Sequence, residues 1–219
     1  MMNRTVDIAR RTVGISASTI QQDPFHYREF IDPVVYRDFI TNIVFVGAPS
    51  TGKSTLAEAL AKECHTTFMP EYGREYWDTH QIDRRLTLEQ LTEIAIGHLA
   101  REDDALAKAN RYLFTDTNAI TTYMFSLDYH GEASAQLTAL AEEAEKRYDL
   151  VFLCGDDIPY DDTWDRSGDV NRKVFQGRIV ADLLSRKIPY IELNGAVEER
   201  MQIVKAVLQR YKKYVGQVI

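Results

Sequence analysis

The sequence predicts an α/β protein of three layers, with helices on both sides of a five-stranded parallel sheet. From residue 42 onward, short apolar runs alternate with helical patterns, which is typical of βαβ units. The first apolar run leads into a G-x-x-x-x-G-K-S motif at residues 47–54, and a helix-forming run follows directly. Strand, glycine-bounded loop and helix together predict the P-loop NTPase class. The expected strands are residues 43–47, 66–70, 112–116, 150–154 and 188–193.

Length and composition set the class of protein. The 219 residues suit one α/β domain, expected at 42–219, with an N-terminal arm at 1–41 that is too short to bury a core of its own. A net charge of −7 argues against general binding to nucleic acid or to a membrane surface. No apolar run approaches the roughly 20 residues that span a bilayer. Two distant cysteines, Cys64 and Cys154, indicate buried free thiols, so a cytoplasmic protein is expected.

Helical patterns fill the segments between the predicted strands. Thr87 and Gln90 have the spacing of a capping box, which predicts that a helix begins at this point. Residues 118–147 predict two helices with a break near His130 and Gly131.

The loop at residues 47–55 is expected to bind ATP. A polyphosphate requires several convergent N–H donors, which a bent loop and a helix N-terminus supply. Lys53 adds a positive charge for the β- and γ-phosphates, and the Ser54 hydroxyl is a ligand for Mg²⁺. The alternative is a Gly- and Ser-containing turn before an ordinary helix. The predicted nucleotide-binding residues are Gly47, Ala48, Pro49, Ser50, Thr51, Gly52, Lys53, Ser54 and Thr55.

Two further strand ends carry candidate catalytic groups, because ligands of open parallel sheets lie beyond the carboxyl ends of the strands. Asp116 ends the third strand and is expected to hold Mg²⁺ beside Ser54, unless it only caps the next helix. Glu71 follows the second strand and is the candidate base for an acceptor hydroxyl, with Arg74 near the transferring phosphoryl group. The alternative for Glu71 and Arg74 is a solvated surface pair.

The segment after the fourth strand predicts a lid. Residues 155–169 form a Gly- and Pro-containing loop, and the helix that follows carries Arg172 and Arg178. A closing loop can bring guanidinium groups onto the γ-phosphate and exclude water. The alternative is a surface loop with salt bridges.

With these residues identified, the chain resembles the ribosylnicotinamide kinase domain of NadR-type proteins of NAD biosynthesis. The matching segments are the P-loop, Glu71–Glu75, Gly97-His98, Asp116-Thr117, Ile120–Thr122, and Asp162 with Arg166 and Arg172. The resemblance implies a kinase-like sheet with a lid, and transfer of phosphate from ATP to the 5′-hydroxyl of nicotinamide riboside. It implies that Lys53, Glu71, Asp116, Arg166 and Arg172 are catalytic. It also implies substrate contacts from Glu71, Tyr72, Arg74, Asp116, Thr117 and Asp162.

The resemblance extends into the arm. Residues 15–24 are similar to the end of the nucleotidyltransferase domain that precedes the kinase in those proteins. Gln21 stands where that domain carries an arginine, so residues 1–41 are expected to be a linker without adenylyltransferase activity. Two positions depart from the kinase family: Pro49 often corresponds to a glutamate, and Asn118 to an acidic residue.

Three functions remain open from the residues. The chain is a kinase for nicotinamide riboside, a kinase for another nucleoside or nucleotide, or a module that senses ATP and signals to a partner. The second carboxylate, Glu71, favours a kinase, because a sensor has no need of it.

Overall fold

A computed structural model describes residues 14–81, 85–160 and 168–213. The chain divides into two compact units between Phe39 and Ile40, two residues before the boundary expected from the sequence. The elements of the N-terminal unit are α1 (Ala17–Gln22), a 3-10 turn (Arg28–Phe30), α2 (Pro33–Tyr36) and a second 3-10 turn (Arg37–Phe39). The Ser16 and Asp32 side chains cap the starts of α1 and α2.

The second unit contains the predicted five-stranded parallel sheet. Its strands are β1 (Thr41–Val46), β2 (Phe68–Met69), β3 (Tyr112–Asp116), β4 (Leu150–Cys154) and β5 (Ile191–Leu193), in the order β2-β3-β1-β4-β5. Both edge strands are shorter than predicted. Each is bounded by a proline, Pro70 or Pro189, which has no N–H to donate to a ladder. The fold prediction is therefore confirmed, with β1 at the centre of the sheet.

Helices cover both faces of the sheet. They are α3 (Lys53–Glu63), α4 (Tyr72–His80), α5 (Leu88–Lys108), α6 (Ala119–His130), α7 (Ala135–Ala144), α8 (Gly168–Ser185) and α9 (Val197–Arg210). Alternate residues of β1 enter two different cores: Ile43 and Phe45 pack with α3 and α9, whereas Val44 and Val46 pack with the other helices. This alternation and the complete burial of β1 are what a strand covered on both faces requires.

Predicted helix ends agree with the structure at two places. Thr87 and Gln90 form the reciprocal capping box at the start of α5. Gly131 ends α6 with a left-handed φ of 74°, which explains the break before α7. Of the two cysteines, Cys154 is buried as expected, but Cys64 is partly exposed. Among the described residues, none of the helices combines the length and apolar character needed to cross a membrane.

Candidate active site

The P-loop connects the central strand to α3. Gly47 has a φ of 145°, and a Cβ at this position would lie 2.7 Å from the Cys154 carbonyl oxygen. Gly52 is the N-cap of α3 with a left-handed φ of 78°. Both positions therefore require glycine. The loop wraps the N-terminal end of α3, where main-chain N–H groups and the helix dipole favour an anion. We call residues 47–55 the phosphate wall.

Three side chains from α8 and α9 hold the phosphate wall from behind. The Gln176 amide accepts a hydrogen bond from Ala48 N–H (2.7 Å) and donates one to the Cys154 carbonyl (2.9 Å). Arg200 donates to the Thr51 carbonyl (2.7 Å) and forms a salt bridge with Asp157 (2.6 Å). Both side chains are buried, so these bonds fix the loop in a low-dielectric environment.

Arg172 is the third of these side chains. It is buried, and its guanidinium donates to the carbonyl groups of Ser50, Asp156 and Ile158 at 3.1–3.3 Å. The sequence expectation assigned Arg172 to the γ-phosphate as a lid arginine. The structure instead places it against the main chain of the loop.

The phosphate wall carries a buried cation and a hydroxyl–carboxylate pair. Lys53, the first residue of α3, is buried and donates to the Ala48 carbonyl at 2.8 Å. The Ser54 hydroxyl donates to Asp116 Oδ2 at 2.5 Å. The other carboxylate oxygen, Asp116 Oδ1, is buried and has no hydrogen-bond partner among the residues that the structure describes. A hydroxyl beside a buried carboxylate with an unsatisfied oxygen fits Mg²⁺, which prefers oxygen ligands.

The alternative role of Asp116 as a helix cap is wrong. Asn118 caps α6, because its side-chain oxygen accepts hydrogen bonds from the N–H groups of Ile120 (3.1 Å) and Thr121 (3.2 Å). An amide oxygen serves this purpose as well as a carboxylate. Asp116 is therefore left to face Ser54.

A cavity of about 260 Å³ opens above the phosphate wall. Of the predicted nucleotide-binding residues, all but Ala48 line it. Its other lining residues are Glu71, Arg74, Thr117, Thr121, Phe125, Ile158 and Pro159. The cavity therefore brings the predicted base, Glu71, and the predicted phosphate cation, Lys53, to one space.

Glu71 and Arg74 form the side of the cavity that we call the acceptor wall, residues 71–74. Glu71 is the N-cap residue of α4, but its side chain makes no capping hydrogen bond. The Glu71 side chain is only 13% exposed, whereas that of Arg74 is 49% exposed, and the two lie 3.8 Å apart. A carboxylate this well covered is not the solvated surface pair that the sequence left as an alternative.

Three other predicted site residues do not line this cavity within the described part of the chain. The ring of Tyr72 lies on α5 instead, in contact with Gly97. Ala48 is buried beneath the loop and bonded to Gln176. Asp116 lies beneath Ser54, which separates it from the cavity. Asp162, Arg166 and the centre of the expected lid lie outside the described residues.

An apolar recess adjoins the cavity. The two share Glu71, Thr117 and Phe125, and the recess is further lined by Gly73, Trp77, Leu86, Leu91, Ile94, His98, Thr122 and Tyr129. The aromatic rings are close: the Phe125 and Tyr129 centroids are 5.7 Å apart, and the Trp77 and Tyr129 centroids 6.4 Å. The recess itself has a volume of only about 20 Å³, which is the space of a single water molecule, so it forms an apolar and aromatic border of the larger cavity.

Thr117 lies where the cavity and the recess meet. Its φ of 72° is uncommon for a β-branched residue and marks local backbone strain. The buried His98 side chain lies near the main chain of Thr117. Burial lowers the pKa of the His98 imidazole, although the charges of Glu102 and Asp116 act in the opposite direction.

The central strand of the parallel sheet leads into a P-loop, and the P-loop is followed by a buried lysine and by a serine that bonds an aspartate. These features define a nucleoside-triphosphate-binding protein of the P-loop class. The comparison with protein families agrees, since the model of the AAA domain family matches residues 42–200. The chain belongs to that AAA domain family.

Sequence relatives narrow the comparison. The chain is 34% identical over 195 residues to the trifunctional NAD biosynthesis/regulator protein NadR of Salmonella typhimurium, covering 87% of this chain and 47% of that protein. It is 34% identical over 192 residues to the NadR protein of Escherichia coli, covering 86% and 46%. The chain thus spans about half the length of these curated relatives.

Solved structures share the fold. A crystal structure of NadR protein in complex with NR superposes with a TM-score of 0.68 at 23% identity, covering 94% of this chain and 61% of that chain. A deoxyadenosine kinase from M. mycoides superposes with a TM-score of 0.51 at 11% identity, covering 78% and 100%. At these identities the likeness concerns the fold alone.

Proposed function

We propose that this protein is an ATP-dependent kinase that phosphorylates the 5′-hydroxyl of nicotinamide riboside, giving nicotinamide mononucleotide. The observation that carries the proposal is the shared cavity, in which the acceptor-wall carboxylate of Glu71 faces the phosphate wall with Lys53. The 34% identity to two NadR proteins supports the choice of acceptor. So does the structural likeness to a NadR protein solved with NR, and to one solved with NAD and AMP-PNP.

The chemistry follows from the positions of the side chains. The N–H groups of the phosphate wall bind the phosphates of ATP, and Lys53 balances the charge of the β- and γ-phosphates. Ser54 and Asp116 would hold Mg²⁺, which supplies further charge neutralisation at these phosphates. Glu71 orients the acceptor hydroxyl and takes its proton, while Arg74 stabilises the transferring phosphoryl group.

The cavity of about 260 Å³, where it borders the apolar recess, provides a place for the base of the acceptor. The nicotinamide ring of the riboside carries a positive charge, so aromatic faces attract it. Trp77, Phe125 and Tyr129 present such faces, and Glu71 and Thr117 stand between them and the phosphate wall. A riboside bound in the cavity with its ring beside Phe125, at the border with the recess, would direct its 5′-carbon toward the phosphate wall.

The test is acceptor-dependent ADP formation by purified protein with ATP, Mg²⁺ and a panel of nucleosides. We expect nicotinamide riboside to stimulate ADP release far above the rate without acceptor, with nicotinamide mononucleotide as the product. Preference for another nucleoside would support the second function left open by the sequence. Tight ATP binding with no acceptor-dependent turnover would instead indicate a nucleotide sensor.

Residues 1–41 are proposed to be a linker, and a cytoplasmic location stays a prediction. No adenylyltransferase activity is expected of this chain. Formation of dinucleotide from nicotinamide mononucleotide and ATP by the pure protein would contradict that expectation.

A further inference from the structure

The ring of Tyr72 rests on the backbone of α5 at Gly97. A Cβ built on Gly97 would lie 2.4 Å from Cε1 of Tyr72, 3.1 Å from Cδ1 and 3.2 Å from Cζ. Because Cε1 is the nearest of these atoms and the other two are its bonded neighbours, one edge of the ring occupies the space of the missing side chain. The contact is possible only because residue 97 is glycine.

A second residue of α5, Arg101, also contacts the Tyr72 ring. The Arg101 guanidinium carbon lies 3.9 Å from the ring centroid, which is the geometry of a cation–π contact. Two hydrogen bonds to Glu75, at 2.7 and 3.0 Å, hold Arg101 in place. Glu75 belongs to α4, as Tyr72 does, and Gly97 and Arg101 belong to α5. We call the contact of the Tyr72 ring with Gly97 and Arg101 the clamp.

The clamp lies beside the acceptor wall. Tyr72 is the first residue of α4, and Glu71 is its immediate neighbour and the N-cap residue. The packing of the Tyr72 ring restrains the first turn of α4, and with it the backbone that carries Glu71. Tyr72 therefore contacts α5 at the point that sets where the Glu71 carboxylate stands in the cavity.

We infer that Gly97 and Tyr72 are positioning residues that set the distance between Glu71 and the phosphate wall. The inference rests on the proposed kinase function, and it replaces the substrate contact that the sequence predicted for Tyr72. Non-bonded carbon atoms prefer a separation of about 3.5–4.0 Å, so an added methyl group would displace the ring by about 1 Å. A misplacement of that size near a reacting group lowers rates by as much as about 10²-fold.

The test compares Gly97→Ala with Gly177→Ala. Both glycines lie within long helices, but a Cβ on Gly177 meets none of the described residues within 4 Å. We expect Gly97→Ala to lower kcat/KM for the nucleoside acceptor by about 10- to 100-fold, with the Kd for ATP unchanged. Gly177→Ala should leave both constants at the wild-type values.

A double variant separates positioning from general damage to the fold. Tyr72→Ala removes the ring that the added methyl group would strike. Gly97→Ala should therefore lower kcat/KM strongly when Tyr72 is present, but by less than twofold when it is introduced together with Tyr72→Ala. This loss of effect is a coupling that a merely destabilising substitution does not produce.

Arg101→Ala provides a variant that folds even if Gly97→Ala does not, because Arg101 is half-exposed. It removes the cover of the ring and should raise KM for the acceptor several-fold without changing the Kd for ATP. Lys205→Ala is the matched control. It breaks a surface ion pair with Glu63, and neither of these two residues is among those that line the cavity.

Equal kcat/KM values for Gly97→Ala and Gly177→Ala would overturn the inference. So would an effect of Gly97→Ala that persists undiminished with Tyr72→Ala, or Arg101→Ala matching Lys205→Ala. Absence of acceptor-dependent turnover in the wild-type protein is a different result, since it would overturn the proposed function and this inference with it.

Discussion

The two walls of the cavity are held in different ways. Behind the phosphate wall, buried side chains from α8 and α9 bond the main chain of the loop directly. At the acceptor wall, the first turn of α4 is held by the ring of Tyr72, which packs against Arg101. Arg101 in turn forms a salt bridge with Glu75, and these two side chains are 44% and 65% exposed. Exposed pairs of this kind contribute at most about 1 kcal/mol. Many kinases bind the same nucleoside triphosphate but transfer phosphate to different acceptors. A firmly held phosphate wall and a less firmly held acceptor wall suit that division, because only the acceptor wall has to differ from one kinase to another.

The largest expected effect lies on the phosphate wall. Lys53→Ala should lower turnover by about 10³-fold or more, because the cation that balances the β- and γ-phosphates is lost. Steady-state ADP formation with saturating acceptor measures the effect. Lys62→Ala, an exposed lysine in the last turn of the same helix, is the control. If turnover of Lys53→Ala stayed within tenfold of the wild-type value, the proposed role of Lys53 at the β- and γ-phosphates would be contradicted.

The next prediction tests how the phosphate wall is held. Arg200→Met should lower the free energy of unfolding by about 3 kcal/mol, because it leaves Asp157 and buried carbonyl groups unpaired. Urea denaturation gives the stability, and the Kd for ATP should rise in parallel. Arg210→Met, at an exposed position of the same helix, should change neither quantity. An unchanged Kd for ATP in Arg200→Met would show that the loop keeps its shape without the hydrogen bonds of Arg200.

The acceptor wall should respond in the opposite way. Glu71→Gln should reduce kcat by about 10²-fold, because the amide cannot accept the hydroxyl proton, while the Kd for ATP stays within about twofold of wild type. Glu58→Gln, on the exposed side of α3, is the control for the chemical change. If Glu71→Gln weakened ATP binding as much as it slowed transfer, the two walls would not be separable and Glu71 would have a structural role.

Much of this comparison could be predicted from the sequence, because the relevant signals are local. The P-loop spacing, the five apolar runs and the capping box at Thr87 each reside in a few consecutive residues. The pairing of Ser54 with Asp116 followed from the rule that strand ends meet at one edge of a parallel sheet.

The supports of the phosphate wall could not be predicted in this way. Gln176 accepts a hydrogen bond from a main-chain N–H 128 residues away, and Arg200 donates one to a main-chain carbonyl 149 residues away. Main-chain donors and acceptors are present at almost every residue, so they leave no residue pattern to match. Arg172 was expected to reach the phosphates, whereas the structure places it against main-chain carbonyl groups. The sequence does not distinguish the two, because an arginine after a loop has the same pattern whether it faces a ligand or a carbonyl group.

The smallest predicted effect concerns His98, which is buried in the lining of the apolar recess beside the cavity. Burial lowers its pKa, so below about pH 6.5 the unfolded chain takes up a proton that the folded protein does not. The free energy of unfolding should therefore fall with decreasing pH, by up to about 1.4 kcal/mol per unit. The nearby charges are Glu102, Asp116 and Arg147.

His98→Asn should flatten that pH dependence, measured by urea denaturation at pH 5.5 and 7.5. The control is His65→Asn, because His65 is exposed and has a left-handed φ of 51° that asparagine tolerates. A steep acid loss that persists in His98→Asn would assign the effect to another group.

The side chain of Gln176 has a consequence for the sheet itself. Val46 of β1 pairs with Leu153 of β4, and beyond this pair the two strands part at Gly47. The Gln176 amide then receives the N–H of Ala48 and donates to the carbonyl of Cys154, as the peptide group of another strand would. A helix residue thus adds one more rung to the ladder. The primary amide of Gln176 offers an acceptor and a donor side by side, as a peptide group does, so Gln176→Glu would place a carboxylate oxygen against a carbonyl oxygen and weaken the sheet at its catalytic edge.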